Sequence, residues 1–229
     1  MQRQLFILLF VTFLPSCKPT TVDTPIGGNG TVKPSTETIV IIGSSTAAGW
    51  GASDYKYSWA GRLTQQLSNS RVVNLAKGGY TSYQLLPTKS SHPNNRPDAD
   101  TLRNINAALK EKPTTLIISN SSNDAVAGYN VDEIIDNFNM IRSRALAAGV
   151  GTVIITTPIP RKFNAEVTTK LLLQRDLVMK SYGSFAVNIY DPLATSENLV
   201  KPELLSEDGI HPNDKGHEVI FKIISSFLL

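Results

Sequence analysis

The sequence predicts an α/β protein, a three-layer α/β/α sandwich around a five-stranded parallel sheet. Two observations carry that reading: five short apolar runs rich in β-branched residues, and amphipathic helical patterns lying between them. The strand-like runs are TIVIIG (38–43), RVVNLA (71–76), TTLIIS (114–119), GTVIITT (151–157) and FAVNIYD (185–191). The apolar character of these runs suits a parallel sheet covered by helices on both faces, where an antiparallel sheet with one wet face would alternate. The helical patterns are marked by Trp59, Leu63 and Leu67; by Leu102, Ile105 and Leu109; by Ile134, Ile135, Phe138 and Ile141; by Leu172 through Val178; and by Val219 to Phe227. Repeated βα units of this kind place helices on either side of one sheet.

Composition sets the outer limits. The chain has 229 residues, 41% of them hydrophobic, enough for one substantial core and one domain, expected over residues 37–229. Formal charge is +3, and no dense Lys/Arg run occurs anywhere, which excludes nucleic acid as an expected partner. The first residues read as an export signal. MQRQ gives a short positive n-region, and Leu5 to Leu14 form an apolar run well short of the roughly 20 residues that span a bilayer. The LPSC that follows resembles the lipobox of bacterial lipoproteins, with Cys17 as the lipidated residue. Residues 1–16 are therefore expected to be a lipoprotein signal peptide. Residues 17–36, rich in Pro, Gly and Thr, are expected to be a flexible tether, which places the domain at the cell envelope. Cys17 is the sole cysteine, so no intrachain disulfide forms.

Polar oddities fall where the strands end. The first run stops at Ser44 and Ser45, the second at KGGYTS (77–82), the third at NSSND (120–124), and DGIHPN (208–213) precedes the last helical pattern. The C-terminal edge of an open parallel sheet is where ligands bind. Taken alone, the serines after the first strand read as a helix N-cap. Together the four segments bring a hydroxyl, glycine amides, a carboxamide and an Asp/His pair to one edge, the inventory for acyl transfer.

These blocks resemble those of the SGNH hydrolase superfamily, the GDSL esterases and lipases, and the resemblance runs from Thr38 to Leu229. Gly43-Ser44-Ser45 stands for the family's Gly-Asp-Ser, which implies Ser45 as nucleophile. VVNLAKGGYTS implies Gly79 as an oxyanion donor, and Ser121-Ser122-Asn123-Asp124 stands for Gly-x-Asn-Asp and implies Asn123 as another. Asp208-Gly209-Ile210-His211 supplies the orienting acid and the base. Two positions depart from the pattern: Ser44 replaces Asp, and Ser121 replaces Gly. Ser44 is expected to hydrogen-bond within its own turn. Trp59 is expected to pack in the core, and Asp124 to serve a turn or cap.

The resemblance implies a flavodoxin-like SGNH hydrolase fold and a serine ester hydrolase acting through an acyl-enzyme. His211 takes the Ser45 proton, Asp208 holds the imidazole, and the Ser45 and Gly79 amides with Asn123 bind the oxyanion. No cofactor is implied. His211 and His217 are six residues apart, off any shared helical face and with no further His or Cys near, so no metal site is expected. The largely polar segment 85–100 suits a small acyl group on a polar or carbohydrate ester, with Trp50, Tyr55, Tyr80 and Tyr129 as candidates for stacking on sugar rings. Two alternatives stay open: a glycan O-acyltransferase using the same site, and a non-catalytic glycan-binding lipoprotein. Oligomeric state is not legible in the sequence.

Overall fold

In a computed structural model of the chain, residues 37–119 and 122–228 are described. The expected signal peptide (1–16), Cys17, the tether (17–36) and Ser121 lie outside the described residues. The elements run β1 (Thr38–Gly43), α1 (Ser45–Ala48), α2 (Trp59–Gln66), β2 (Arg71–Asn74), α3 (Ile105–Lys110), β3 (Thr115–Ser119) and α4 (Asn123–Val126). There follow α5 (Val131–Ala147), β4 (Thr152–Thr156), α6 (Ala165–Tyr182), β5 (Ala186–Val187), α7 (Tyr190–Leu193) and α8 (Asp214–Ser226).

All five strands are parallel, in the order β2-β1-β3-β4-β5. The chain leaves β1 towards β2, then crosses back over β1 to β3. The sheet therefore has its switch point between β1 and β3, whose last residues, Gly43 and Ser119, are paired. Alternation along the strands divides the core in two. Val40, Ile42, Leu116, Ile118 and Ile155 pack against α3, α5 and α6 through Ile105, Ile134, Phe138, Ile141 and Val178. Ile39, Ile41, Ile117 and Ile154 pack on the opposite face against α1, α2 and α8 through Ala47, Trp59, Leu63, Ile220 and Ile224. The sheet is thus the middle layer, and each fully buried Ile or Leu contributes about 1.5–3 kcal/mol.

Side-chain caps fix where the helices start. Ser58 accepts from the Gly61 amide, Asn104 from Ala107, Asn164 from Val167, and Asn213 from both Lys215 and Gly216. Three expectations need correction. The fifth strand is two residues long, because Asn188 Oδ1 accepts from the Tyr190 and Asp191 amides and turns the chain into α7. Leu102 is 77% exposed, in a turn where Asp100 accepts its amide, and α3 begins only at Ile105. In α6 the buried stripe is Leu171, Gln174, Val178 and Tyr182, leaving Leu173 on the outside.

His217, in the first turns of α8, is wholly buried. Its Nδ1 accepts from the Trp59 amide at 3.3 Å and its Nε2 donates to the Trp50 carbonyl at 3.0 Å, so one neutral ring joins α8, α2 and the loop after α1. Burial pushes its pKa down to about 4 from 6.5, although the Trp50 carbonyl and Asp214 pull the other way. Above pH 6.5 the ring is neutral whether the chain is folded or not. Between 6.5 and 4 the unfolded chain binds the proton first, so stability is lost as pH falls, by about 1.4 kcal/mol per unit and about 3 kcal/mol in all. Asp124, raised to about 6 by burial, acts in the opposite sense over part of that range. It is common to wild type and His217→Gln and cancels between them. Urea unfolding at pH 7 and pH 4.5 should show a loss smaller by about 2–3 kcal/mol in His217→Gln; equal losses in the two proteins would refute the assignment.

Candidate active site

Four loops at the C-terminal ends of the strands, or beside them, build the site. α1 begins directly after β1, which sets Ser45 in a first helical turn, where a backbone N–H has no partner within the helix. Ser45 is buried, and its Oγ lies 2.8 Å from His211 Nε2. His211 Nδ1 lies 2.7 Å from Asp208 Oδ2. The three expected residues thus form one hydrogen-bonded line across 166 residues of sequence.

Asp208 organises its own loop as well. Its Oδ1 accepts from the Ser206 hydroxyl (2.7 Å), the Ile210 amide (2.7 Å) and the His211 amide (2.9 Å). What burial it has works against its charge, but these donors and the His211 ring outweigh it and hold the carboxyl well below the usual carboxylate range. His211 moves the other way. Burial lowers its pKa below 6.5, the Asp208 hydrogen bond raises it, and the positive charge of Arg161 lowers it again. A neutral imidazole with Nδ1–H tied to a carboxylate leaves Nε2 as an acceptor aimed at the serine hydroxyl.

Besides Ser45, the residues expected as oxyanion donors are Gly79 and Asn123. Gly79 takes a backbone φ of +83°, which glycine adopts without strain. A side chain at Gly79 would meet no neighbour, so it is the backbone angle that calls for glycine there. Among the described residues, neither the Ser45 amide nor the Gly79 amide donates to a protein acceptor. Asn123 opens α4 after β3, and its Nδ2 donates to Ser44 Oγ at 2.8 Å and to the Tyr80 carbonyl at 2.9 Å. Ser44 therefore makes no bond within its own turn, contrary to expectation. Its hydroxyl faces the third loop and holds the carboxamide.

Asp124 also departs from its expected turn or cap role. It is fully buried and accepts from the Ser82 amide (2.9 and 3.0 Å) and hydroxyl (2.6 Å), bolting the Asn123 loop to the loop that carries Gly79. Asn137 of α5 donates to the same Ser82 hydroxyl. Two of the four proposed stacking aromatics are also unavailable. Tyr80 is buried with its hydroxyl on Asp100, and Tyr129 is buried under the Arg96 guanidinium, 3.9 Å from its ring centre. Trp50 is 54% exposed and meets the His211 ring edge-on at 5.5 Å, while Tyr55 is 47% exposed. Trp59 packs in the core as expected, its Nε1 donating to the Thr46 carbonyl. His217 and His211 do not converge on a common point, since each ring nitrogen of His217 is taken by backbone.

One residue of the site escaped the sequence reading. Arg161 follows β4 and lines a small cavity with Ser44, Ser45, Ser122 and Ile159. An arginine five residues past a strand carries no motif, so only the fold brings it forward. The room in that cavity is about 10 Å³, enough for about one water. A larger cavity, about 670 Å³, is lined by Glu203, Glu207, Asp208 and Asp214, and neither Ser45 nor His211 lines it.

Known proteins place this geometry. A family model for the GDSL-like lipase/acylhydrolase family matches residues 41–219. The GDSL lipase Rv0518 of Mycobacterium tuberculosis (strain ATCC 25618 / H37Rv) is 33% identical over 89 residues, which span 39% of this chain and 36% of that protein. Two solved structures share the fold. The psychrotrophic esterase EstA from Pseudoalteromonas sp. has a TM-score of 0.60 at 20% identity, covering 84% of this chain and 98% of that one. A two-domain esterase active on acetylated mannans has a TM-score of 0.58 at 17% identity, covering 84% and 49%. With the family model running from β1 into α8, and a Ser-His-Asp line at the sheet's switch point, the chain belongs to the GDSL-like lipase/acylhydrolase family, the SGNH hydrolases, whose members are hydrolases of esters.

Proposed function

We propose that this protein is a serine ester hydrolase that works through an acyl-enzyme and removes small, acetyl-like groups from a polar or carbohydrate substrate. The observation that carries the reading is the line from Asp208 through His211 to Ser45, at 2.7 and 2.8 Å. In the proposed reaction His211 Nε2 takes the Ser45 proton as Oγ attacks the ester carbonyl, and Asp208 stabilises the imidazolium that forms. Negative charge then gathers on the carbonyl oxygen, where the free amides of Ser45 and Gly79 receive it, joined by the Asn123 carboxamide as one Nδ2 hydrogen turns from the Tyr80 carbonyl to the oxyanion. The imidazolium returns its proton to the leaving alcohol. Water, deprotonated by the same ring, releases the acyl group.

The small cavity at Ser45 supports a short acyl group. Trp50 supports a ring-bearing alcohol: its indole stays exposed beside His211, and Gly78 makes room for it, since a Cβ at Gly78 would lie 2.3 Å from the indole. An exposed aromatic face next to the base is a platform on which a sugar ring can stack. That a structural neighbour is active on acetylated mannans agrees with this choice. The LPSC junction supports attachment to a bacterial membrane through lipid on Cys17, with residues 17–36 as the tether.

The hydrolase reading is tested by treating the full-length protein with a fluorophosphonate, mapping the label, and assaying aryl esters of increasing acyl length beside an acetylated oligosaccharide. Label on Ser45, its loss in Ser45→Ala, and rates that drop beyond short acyl chains are expected. Label elsewhere, or turnover surviving in Ser45→Ala, would sink the reading.

Asn123→Ala should lower kcat by about 10² to 10³, the usual cost of one oxyanion donor. Because Ser44 Oγ accepts from the Asn123 amide, Ser44→Ala should also lower kcat, by about tenfold, and the double variant should be no slower than Asn123→Ala alone. Additive losses would separate Ser44 from Asn123.

Cys17→Ser should move the protein from the membrane fraction to the soluble fraction, or leave an unprocessed precursor. Unchanged fractionation and processing would rule out lipid at Cys17.

A further inference from the structure

Arg161 alone carries a charge among the residues that line the cavity at Ser45, and the ester chemistry gives it no task. It is held firmly. Thr157 to Pro160 are all buried, and Pro158 and Pro160 fix two backbone angles of the short stem between β4 and Arg161. Among the described residues the guanidinium is nevertheless unpaired. Its Nε is shut away from solvent with no hydrogen-bond partner, and no ion pair forms at its terminal nitrogens, which are not shut away. Ser122 Oγ, on the wall of the same cavity, is also buried without a partner.

A half-buried cation without a counter-ion is costly, and the buried Nε donor without an acceptor adds to the cost, while the terminal nitrogens stay open to solvent. Burial brings the Arg161 pKa down to about 10, with Asp208 acting weakly in the opposite direction. Asp208 makes no hydrogen bond or ion pair with Arg161 among the described residues; its carboxylate is turned to Ser206, Ile210 and His211. The site thus presents a rigid, charged fork with open donors beside the nucleophile. That arrangement matches the two oxygens of a carboxylate.

We propose that Arg161 is a substrate-recognition residue and that the ester this protein cleaves carries a carboxylate, received by the Arg161 guanidinium while the ester carbonyl lies at Ser45. The proposal rests on the ester-hydrolase reading and narrows its substrate class. A carboxylate could sit on either half of the ester, so the test has two arms. Mono-4-nitrophenyl succinate against 4-nitrophenyl butyrate probes the acyl half, and 3-acetoxybenzoate against phenyl acetate probes the alcohol half.

In the full-length protein, kcat/KM for the charged member of at least one pair should exceed that of its neutral partner by tenfold or more. In Arg161→Gln that ratio should fall at least tenfold, and Arg161→Lys, which keeps the charge without the fork, should fall between. If Arg161 only tuned His211 through its charge, Arg161→Gln would move the acid limb of the pH profile for both members of a pair and leave the ratio unchanged, which would overturn the proposal. Absence of any preference in the wild type would overturn it too. Should Ser45 take no fluorophosphonate label and no ester turn over, the hydrolase reading fails, and titration calorimetry with succinate and benzoate then decides the Arg161 site. Binding that disappears in Arg161→Gln sustains an anion site there, and no binding overturns it.

Discussion

The pairing of β1 with β3 is the constraint on which the rest of this molecule depends. It brings Gly43 opposite Ser119, and so starts α1 and the α4 loop from neighbouring points on one edge. Ser45 and Asn123 are then close without either being in contact through sequence, and the Ser44 hydroxyl spans the gap to the carboxamide at 2.8 Å. The strands themselves are held by apolar burial on both faces, a non-directional force that fixes the sheet and leaves its edge free for polar groups. Those polar groups are then fixed by hydrogen bonds between loops: Asp124 to Ser82, Asn123 to Tyr80, His211 to Ser45. A site assembled in this way is rigid because its loops brace one another, and buried polar networks of this kind are stabilising only when every member is satisfied.

Much of this was legible in the sequence because the strands are short apolar runs with no competing period. The first four strands and most of the helices that cover them follow from local pattern, whereas the Ser45, Asp208, His211 line follows from the resemblance of the four polar blocks to a known family. What was not legible depends on contacts between distant residues. NIYD continues the apolar run of β5, yet the Asn188 side chain captures two amides and ends the strand early. Tyr80 and Tyr129 have the composition of surface aromatics in polar loops, but Asp100 and Arg96 reach them from a segment some 20 and 33 residues away in sequence and close over them. Ser44 looks like an N-cap because serine before a helix usually is one, and only the position of Asn123 across the edge gives its hydroxyl another partner.

Electrostatically the site is divided. Asp208 is held ionised by four donors while its side chain remains 43% exposed, so water shares in stabilising the charge. His211, largely buried, is held neutral and ready to accept a proton. His217, six residues on, is driven neutral for a different purpose: both its nitrogens join backbone segments, and one of them is the segment that carries Trp50. Burial drives both imidazoles towards the neutral form, yet one faces the Ser45 hydroxyl and the other rivets backbone segments together. The difference lies in the partner of Nδ1, a carboxylate in His211 and a peptide N–H in His217.

Arg161 brings these themes together. In the proposed reaction a positive charge near His211 opposes the imidazolium that forms as Ser45 attacks, so a guanidinium without a counter-ion there slows that proton transfer. An anionic substrate changes the balance. With a carboxylate on the Arg161 fork, the repulsion is screened at the moment the reacting ester is in place, and the same contact that selects the substrate also eases proton transfer to His211. A neutral ester in the same site leaves the repulsion standing. Selectivity for charge is then expressed in the transition state as well as in binding, where it raises kcat as well as lowering KM. This is a physical reason for holding a cation beside the proposed base in a site whose own carboxylate, Asp208, is committed to His211.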